Sequence, residues 1–165
     1  MVEDPNHFSL DVESTSKFCP TGQTIGKKNL AEGKIPVLSC EGGCIRGEIA
    51  RVAANIVARE ELFRRTCHGE FFTVPDSEIS NWMTGAGKVV LIDGCFMHCH
   101  ERIMKNLIDD DRLIVFDALS RYNKYTDFFY IDDVPEEEWR PVAQDVADWV
   151  LSSLNNEGTA RPRKE

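Results

Sequence analysis

Short apolar runs alternate with stretches of helical periodicity along most of the chain. Residues 34–39, 88–92 and 112–116 are apolar runs of the kind found in strands that are covered on both faces of a sheet. A further strand is expected either at 62–67 or at 70–74, and the sequence alone leaves these two alternatives open. The pattern therefore predicts at least four strands.

Between the strands, apolar residues recur at helical spacing. The first helix is expected to begin at Ile45, because apolar positions repeat every three or four residues from there and charged residues occupy the other side. Ser77 predicts the cap of a second helix, which ends at Gly85 or Gly87.

Two more helices are expected in the second half of the chain. One is predicted over 96–108, and the last begins near Pro135, where a proline and three glutamates suit a first helical turn. A short strand is predicted at 128–131, just before that last helix. The shared face of the 96–108 helix is expected to carry Cys99, Ile103, Leu107 and Ile108. The buried stripe of the last helix is expected to carry Val142, Val146, Trp149, Val150 and Leu154.

Strands that alternate with helices predict an α/β fold. We expect a single three-layer domain with a mainly parallel sheet of four or five strands, helices on both faces and a flavodoxin-like strand order. The 165 residues suffice for one domain with a substantial core. That domain is expected over residues 34–155, after an N-terminal arm at 1–33 and before a disordered tail at 156–165.

Charge and composition narrow the classes of partner. The net charge of -9 disfavours nucleic acid and anionic membrane surfaces as partners. No apolar run approaches the ~20 residues that a membrane-spanning helix needs. The start of the chain has neither a basic nor an apolar stretch, so no secretory signal is expected and a cytoplasmic location is the default.

Six cysteines carry the candidate chemistry. A reducing compartment keeps thiols free, which argues against a disulfide scaffold and favours buried thiols, metal ligands or reactive groups. Cys19, in Phe-Cys-Pro within the predicted arm, is expected to be a free thiol without a function.

Four of these cysteines form two pairs with the same spacing. Cys40 and Cys44 follow the first predicted strand, and Cys95 and Cys99 follow the strand at 88–92. Turns after parallel strands open at one edge of the sheet, so the four thiols are expected to meet there. Zinc accepts thiolate ligands in tetrahedral geometry, and a helix N-terminus favours the thiolate form. A zinc site is therefore the leading hypothesis, with the metal ion as partner.

Three histidines are secondary candidates for the same site. His98 and His100 flank Cys99, and His68 follows Cys67. Imidazole is a good zinc ligand. Consecutive helical positions point in different directions, so at most one of the flanking pair is expected to face the site and both are interpreted as exposed polar residues.

The run from Val89 through Asp93-Gly94-Cys95 to Cys99 resembles the signature of the DGC-domain family of zinc-binding proteins, which is named for its Asp-Gly-Cys triplet. The similarity covers residues from about 34 to 120. It also includes a cysteine after the first strand, matched by Cys40, and one before the triplet, matched by Cys67. The resemblance implies zinc bound through Cys40, Cys67, Cys95 and Cys99. Cys44 departs from the common family pattern and is a fifth candidate thiol for the four positions, as an alternative to Cys67. It also favours 62–67 as the second strand.

A different chemistry is suggested by residues 40–46, which form a Cys-x5-Arg motif between a strand and a helix. This motif resembles the phosphate-binding loop of low-molecular-weight tyrosine phosphatases and related arsenate reductases. The resemblance implies that Cys40 is a nucleophile, Arg46 holds the oxyanion and Asp117 is a candidate acid. Glu41 and Gly47 depart from that pattern.

Two other hypotheses remain open at the level of sequence. One is a thiol-redox protein in which Cys40 and Cys44, or Cys95 and Cys99, cycle through a disulfide. The other is a structural zinc that stabilises a module for a protein partner.

Overall fold

The sheet contains four parallel strands in the order β2-β1-β3-β4. The structure is a computed structural model that describes residues 7–124 and 130–157. The strands are β1 (Ile35–Ser39), β2 (Phe63–Arg65), β3 (Val89–Asp93) and β4 (Leu113–Asp117). This confirms the α/β class and the first four positions of a flavodoxin-like order.

Helices cover both faces of the sheet, which makes the three predicted layers. In chain order they are α1 (Pro20–Ala31), α2 (Ile45–Val57), α3 (His68–Thr73), α4 (Glu78–Gly85), α5 (Cys99–Met104), α6 (Leu119–Tyr122) and α7 (Glu136–Glu157), with a short 3-10 helix at Ile131–Asp133. None of the helices in the described ranges is long and apolar enough to cross a membrane.

Alternate residues of the strands supply two separate cores. Val37, Val90 and Ile92 pack with α2 and α7 on one face. On the other face, Leu38 and Leu91 pack with α4 and with buried residues of α3 and α5. Because neighbouring strand residues point to opposite faces and both faces are covered, every residue of β3 and every residue of β1 after Ile35 is buried. The predicted stripe of the last helix is confirmed, since its residues lie in the first of these cores.

The second strand is the one at 63–65, so the alternative at 70–74 is wrong. Phe63 pairs with Ile35, and the ladder between β2 and β1 ends two residues later. Residues 70–73 belong to helix α3, which buries Phe71 against the α4 side of the sheet. Phe71 and Phe72 therefore belong to a helix of six residues, which is too short for a helical periodicity to be recognised in the sequence.

The helix predicted over 96–108 is shorter in the structure, and the face that it buries differs from the predicted one. It begins at Cys99, because residues 95–98 form a turn closed by a 3.0 Å bond from the N–H of His98 to the carbonyl of Cys95. This late start changes the helix phase. Met104 and Ile108 are buried, whereas Cys99, Ile103 and Leu107 are exposed, which corrects the predicted face.

Two other expectations concern the later part of the chain. The strand predicted at 128–131 is not formed at its described end, where Ile131 begins the 3-10 helix; residues 128 and 129 lie outside the described ranges. The predicted disordered tail also falls largely outside them, and α7 continues to Glu157.

Helix α1 lies inside the stretch that was predicted to be an arm. It packs against α4, where the side-chain oxygen of Gln23 accepts a 2.6 Å bond from the N–H of Glu78. Gly26 makes the closest approach, since a Cβ at this position would lie 2.3 Å from the carbonyl carbon of Glu78. Folded structure therefore begins at Pro20 rather than near Lys34. Because glycine makes the close contact, the sequence of α1 has no apolar periodicity from which the helix could be predicted.

We expect Gly26→Ala to destabilise the protein by about 1–3 kcal/mol, because the added methyl group forces α1 away from α4. Gly69→Ala is the matched control, since Gly69 also lies in a helix and a Cβ there meets nothing within 4 Å. That control is expected to be neutral or stabilising by up to ~1 kcal/mol. Urea denaturation gives both values. Equal effects would show that α1 does not contribute to the folded domain.

Candidate functional site

The site lies where β1 and β3 end, at the carboxyl edge of the sheet. Cys40 follows β1, and its N–H donates a 2.9 Å bond to the carbonyl of Ile92 in β3. Asp93 is the last residue of β3. The pairing of these two strands brings the ends of two distant segments together, as expected for ligand sites in open parallel sheets.

Glycines allow the loops after these strands to pack closely. A Cβ on Gly47, in the first turn of α2, would lie 2.2 Å from the carbonyl oxygen of Gly42. A Cβ on Gly94 would lie 3.1 Å from the carbonyl carbon of Arg46. The loop after β1 therefore folds back onto α2, and the loop after β3 rests against the same helical turn.

Cys40, Asp93 and His100 converge at this edge. Their ligand atoms, a thiol sulfur, a carboxylate oxygen and an imidazole nitrogen, all lie within 4.8 Å of one another. Asp93 is only 1% exposed. Its carboxylate accepts a 3.0 Å bond from the N–H of Glu101, and its Oδ1 lies 3.5 Å from Nδ1 of His100.

The three groups stabilise one another's charged forms. Contact with the Asp93 carboxylate, followed by contact with the Cys40 thiol, raises the pKa of His100 to about 9. Burial acts to raise the pKa of Cys40, but hydrogen bonds from His100 and from the N–H groups of Gly42 and Gly94 outweigh burial and lower it. In the absence of metal, the arrangement favours a thiolate beside an imidazolium.

A second group shares Asp93. The ligand atoms of Asp93, His98 and Glu101 also lie within 4.8 Å of one another. His98 has a left-handed backbone, with φ 45°, and directly precedes the first residue of α5. Its Nδ1 lies 2.6 Å from Oε2 of Glu101, and the other oxygen of Glu101 bonds to Lys105 at 2.7 Å.

Both histidines have a buried nitrogen close to a carboxylate. Nδ1 of His98 and Nδ1 of His100 are inaccessible to solvent. Within the described part of the chain, neither nitrogen has a hydrogen-bond partner at a suitable angle. Each nevertheless lies 2.6 to 3.5 Å from a carboxylate oxygen. A cation bound between such a nitrogen and carboxylate would take the place of the water that the buried nitrogen lacks.

The other predicted thiols lie outside these two groups. Cys95 is half-buried in the turn after Asp93, and Cys99 is exposed, with its sulfur 3.8 Å from Nη2 of Arg102. Cys44 is half-buried at the cap of α2. Cys67 is exposed and lines, with Cys19, a cleft of about 500 Å³ beside α1. Among the described residues, Cys40 is the thiol that joins a group of three candidate ligands. The four-thiol set stays a prediction.

The phosphatase-like hypothesis also concerns Arg46, Asp117 and Glu41, whose surroundings differ from one another. Arg46 is buried, and its charge acts on Tyr122 of α6 by opposing the burial that raises the pKa of that phenol. Asp117 accepts a 2.9 Å bond from the N–H of Ser120 at the start of α6. Glu41 is held by Ser39 and Arg65.

The histidines contribute more than the sequence suggested. Both His98 and His100 are partly buried, so their interpretation as exposed residues is wrong. The rule for consecutive helical positions does not apply, because His98 precedes the first residue of α5. His68 also lies near, with its ring edge-on to that of His100 at a centroid distance of 5.1 Å. Burial, and next the charge of His100, lowers the pKa of His68.

The contact between His100 and Cys40 predicts a specific change in thiol reactivity. In metal-free protein, Cys40 should be alkylated by iodoacetamide with a pH midpoint below the ordinary range of a thiol, and His100→Gln should raise that midpoint. Peptide mass mapping at a series of pH values measures it. Lys105→Ala, which changes a charge outside the group, is expected to leave the midpoint in place. An unchanged midpoint in His100→Gln would contradict the contact.

Comparison with known proteins gives one match. The DGC domain family model matches residues 36–146, which is about two thirds of the chain and runs from β1 into α7. The matched region contains Cys40, the Asp93-Gly94-Cys95 triplet and His100. No curated protein and no solved structure is detectably similar to the chain. The chain belongs to the DGC domain family.

Proposed function

We propose that this protein binds zinc at the carboxyl edge of its sheet through Cys40, Asp93 and His100. The observation that carries the proposal is the convergence of a thiol, a carboxylate and an imidazole within 4.8 Å. All three atom types are zinc ligands in proteins.

The dimensions and charges suit the ion. Tetrahedral zinc places sulfur, nitrogen and oxygen ligand atoms roughly 3.3–3.6 Å apart. The three side chains therefore need to close by about 1.2–1.5 Å at most from the separations of up to 4.8 Å that the structure has. A thiolate and a carboxylate balance the double charge of zinc, so the buried Asp93 gains a cation in place of an imidazolium. Metal binding would release the proton from His100.

The fourth ligand decides what the site does. A thiolate from Cys95, Cys99, Cys67 or Cys44 would close it, as in a structural, sensing or metal-transfer site. An open fourth position would hold water, which zinc makes acidic enough to serve as a nucleophile near neutral pH. Cys95 follows Asp93 by two residues in the same turn, which favours it among the thiols.

Zinc binding is tested with the purified full-length chain. Elemental analysis after zinc loading and desalting is expected to give at least one equivalent. Cys40→Ser and His100→Gln should each lower the affinity by more than the ~10–100-fold typical of an outer-sphere change. Cys19→Ser is the matched control, since Cys19 caps α1 in a different cleft. Metal that survives Cys40→Ser would contradict this site.

The remaining thiols are distinguished in the same assay. If Cys95→Ser releases the metal as Cys40→Ser does, the site is closed by that thiol. If Cys67→Ser and Cys99→Ser release it as well, the four-thiol set implied by the family resemblance is the metal site. Loss of zinc in Cys40→Ser together with its retention in the single serine variants of Cys44, Cys67, Cys95 and Cys99 indicates an open coordination position.

A cysteine nucleophile is the second candidate function, and the arrangement of Cys40, His100 and Asp93 favours it. In this chemistry the Cys40 sulfur attacks the phosphorus of a monoester, and His100 gives its proton to the departing oxygen. Water then hydrolyses the phosphocysteine intermediate, which releases phosphate and restores the thiolate. Asp93 holds the imidazolium in position, as the third residue of a triad does.

Metal removal separates the two candidates. A cysteine enzyme is expected to turn over aryl phosphates in the presence of a chelator, and Cys40→Ser should abolish that turnover. Cys44→Ser, in the same loop, is the control that should retain it. Arg46→Ala and Asp117→Asn test the roles implied by the phosphatase-like motif. Activity that disappears with the chelator and returns with zinc contradicts the nucleophile and supports the metal.

A further inference from the structure

We propose a second divalent-cation site formed by Asp93, His98 and Glu101, with Asp93 as the carboxylate that bridges it to the first ion. The proposal rests on the zinc site described above and extends it to a dinuclear centre. Its ligand atoms lie within 4.8 Å of one another, as those of the first group do.

Geometry makes Asp93 suitable as a bridge. Oδ1 lies 3.5 Å from Nδ1 of His100, on the side of the first group, whereas Oδ2 accepts the N–H of Glu101, on the side of the second. A carboxylate offers two oxygens, each with more than one lone pair. Paired metal ions in proteins lie about 3.5–4 Å apart, a spacing that one bridging carboxylate spans.

The close pair of His98 and Glu101 supplies the two other ligand atoms of this site. Nδ1 of His98 lies 2.6 Å from Oε2 of Glu101 in an arrangement without hydrogen-bond direction, although that nitrogen is buried. A zinc ion ligated by both atoms would widen the separation to about 3.3 Å and use both lone pairs. The ordinary alternative is a protonated His98 that pairs with Glu101 as a simple ion pair, and the two explanations differ in metal stoichiometry.

Charge balance is consistent with two ions. Cys40, Asp93 and Glu101 contribute three negative charges when ionised, and the two histidines ligate as neutral imidazoles. Two divalent cations leave a single positive charge, which one bound hydroxide neutralises. With one ion, the charges of Cys40 and Asp93 are already balanced and Glu101 is left with Lys105 as its cationic partner.

Zinc chloride titration of metal-free, full-length protein tests the second site by calorimetry and elemental analysis. Wild type is expected to bind two ions. His98→Asn and Glu101→Gln should each retain one ion and lose the other. Lys105→Ala is the matched control, because it removes the neighbouring partner of Glu101 without removing a ligand, and it should still bind two.

The outcomes separate this inference from the zinc site on which it rests. One ion in wild type, unaffected by His98→Asn or Glu101→Gln, overturns the second site and leaves the first intact. Two ions that both persist in Glu101→Gln place the second ion elsewhere and also overturn it. Failure of wild type to bind any ion removes both proposals.

A measurement on wild type alone covers the case in which a variant does not fold. X-ray absorption of the cobalt-loaded protein is expected to show metal–metal scattering at about 3.5–4 Å. Sulfur scattering should accompany it, because Cys40 ligates one of the ions. Sulfur scattering without a metal–metal distance at full loading would contradict the dinuclear arrangement.

Discussion

A buried carboxylate at the end of the central strand organises this edge of the molecule. An isolated ionised carboxylate is costly to bury, and the cost falls only when hydrogen bonds and opposite charge replace water. Asp93, at 1% exposure, obtains both from the segment that follows it. The N–H groups at the start of α5 approach its oxygens, and His100 supplies the positive charge. These bonds hold the first turn of α5, with Cys99 and His100, against the end of β3.

The second constraint is close packing between two loops. A Cβ on Gly47 would lie 2.2 Å from the carbonyl oxygen of Gly42, and a Cβ on Gly94 would lie 3.1 Å from the backbone of Arg46, so backbone approaches backbone at both glycines. This packing holds Cys40 against the end of β3, so its thiol lies beside His100 rather than in an open loop. It also explains a departure from the phosphatase-like motif. A serine at position 47 would bring its Cβ against the carbonyl of Gly42, so the loop has a shape of its own.

The proposed metal binding and the proposed thiol chemistry would use the same atoms at this edge. Without metal, the lowered pKa of the Cys40 thiol and the raised pKa of the His100 imidazole favour an ion pair beside the buried carboxylate of Asp93. With metal, the same three side chains would be its ligands. Perturbed groups of this kind cluster at functional sites because burial and charge partners are arranged there together. The family match, which spans this whole region, places the arrangement within the part of the chain that defines a DGC domain.

Local periodicity was enough to predict most of the fold. The apolar strands, the helices after Ile45 and Ser77 and the stripe of the last helix depend on burial of one face or both, which the sequence records directly. Predictions failed where that record is weak. Helix α1 packs through glycines, α3 is only six residues long, and α5 starts after a left-handed residue that shifts its phase.

The candidate site divides in the same way. Sequence by itself determined that Cys40 and the Asp93-Gly94-Cys95 turn meet at one sheet edge, because parallel strands end together. Only the tertiary structure decided the partners of Cys40. Which side chains approach a thiol depends on the turn at 95–98 and on the direction of α5, and neither is set by residue spacing. His100 and the carboxylate of Asp93 therefore lie beside Cys40, where cysteine spacing alone had suggested four thiols.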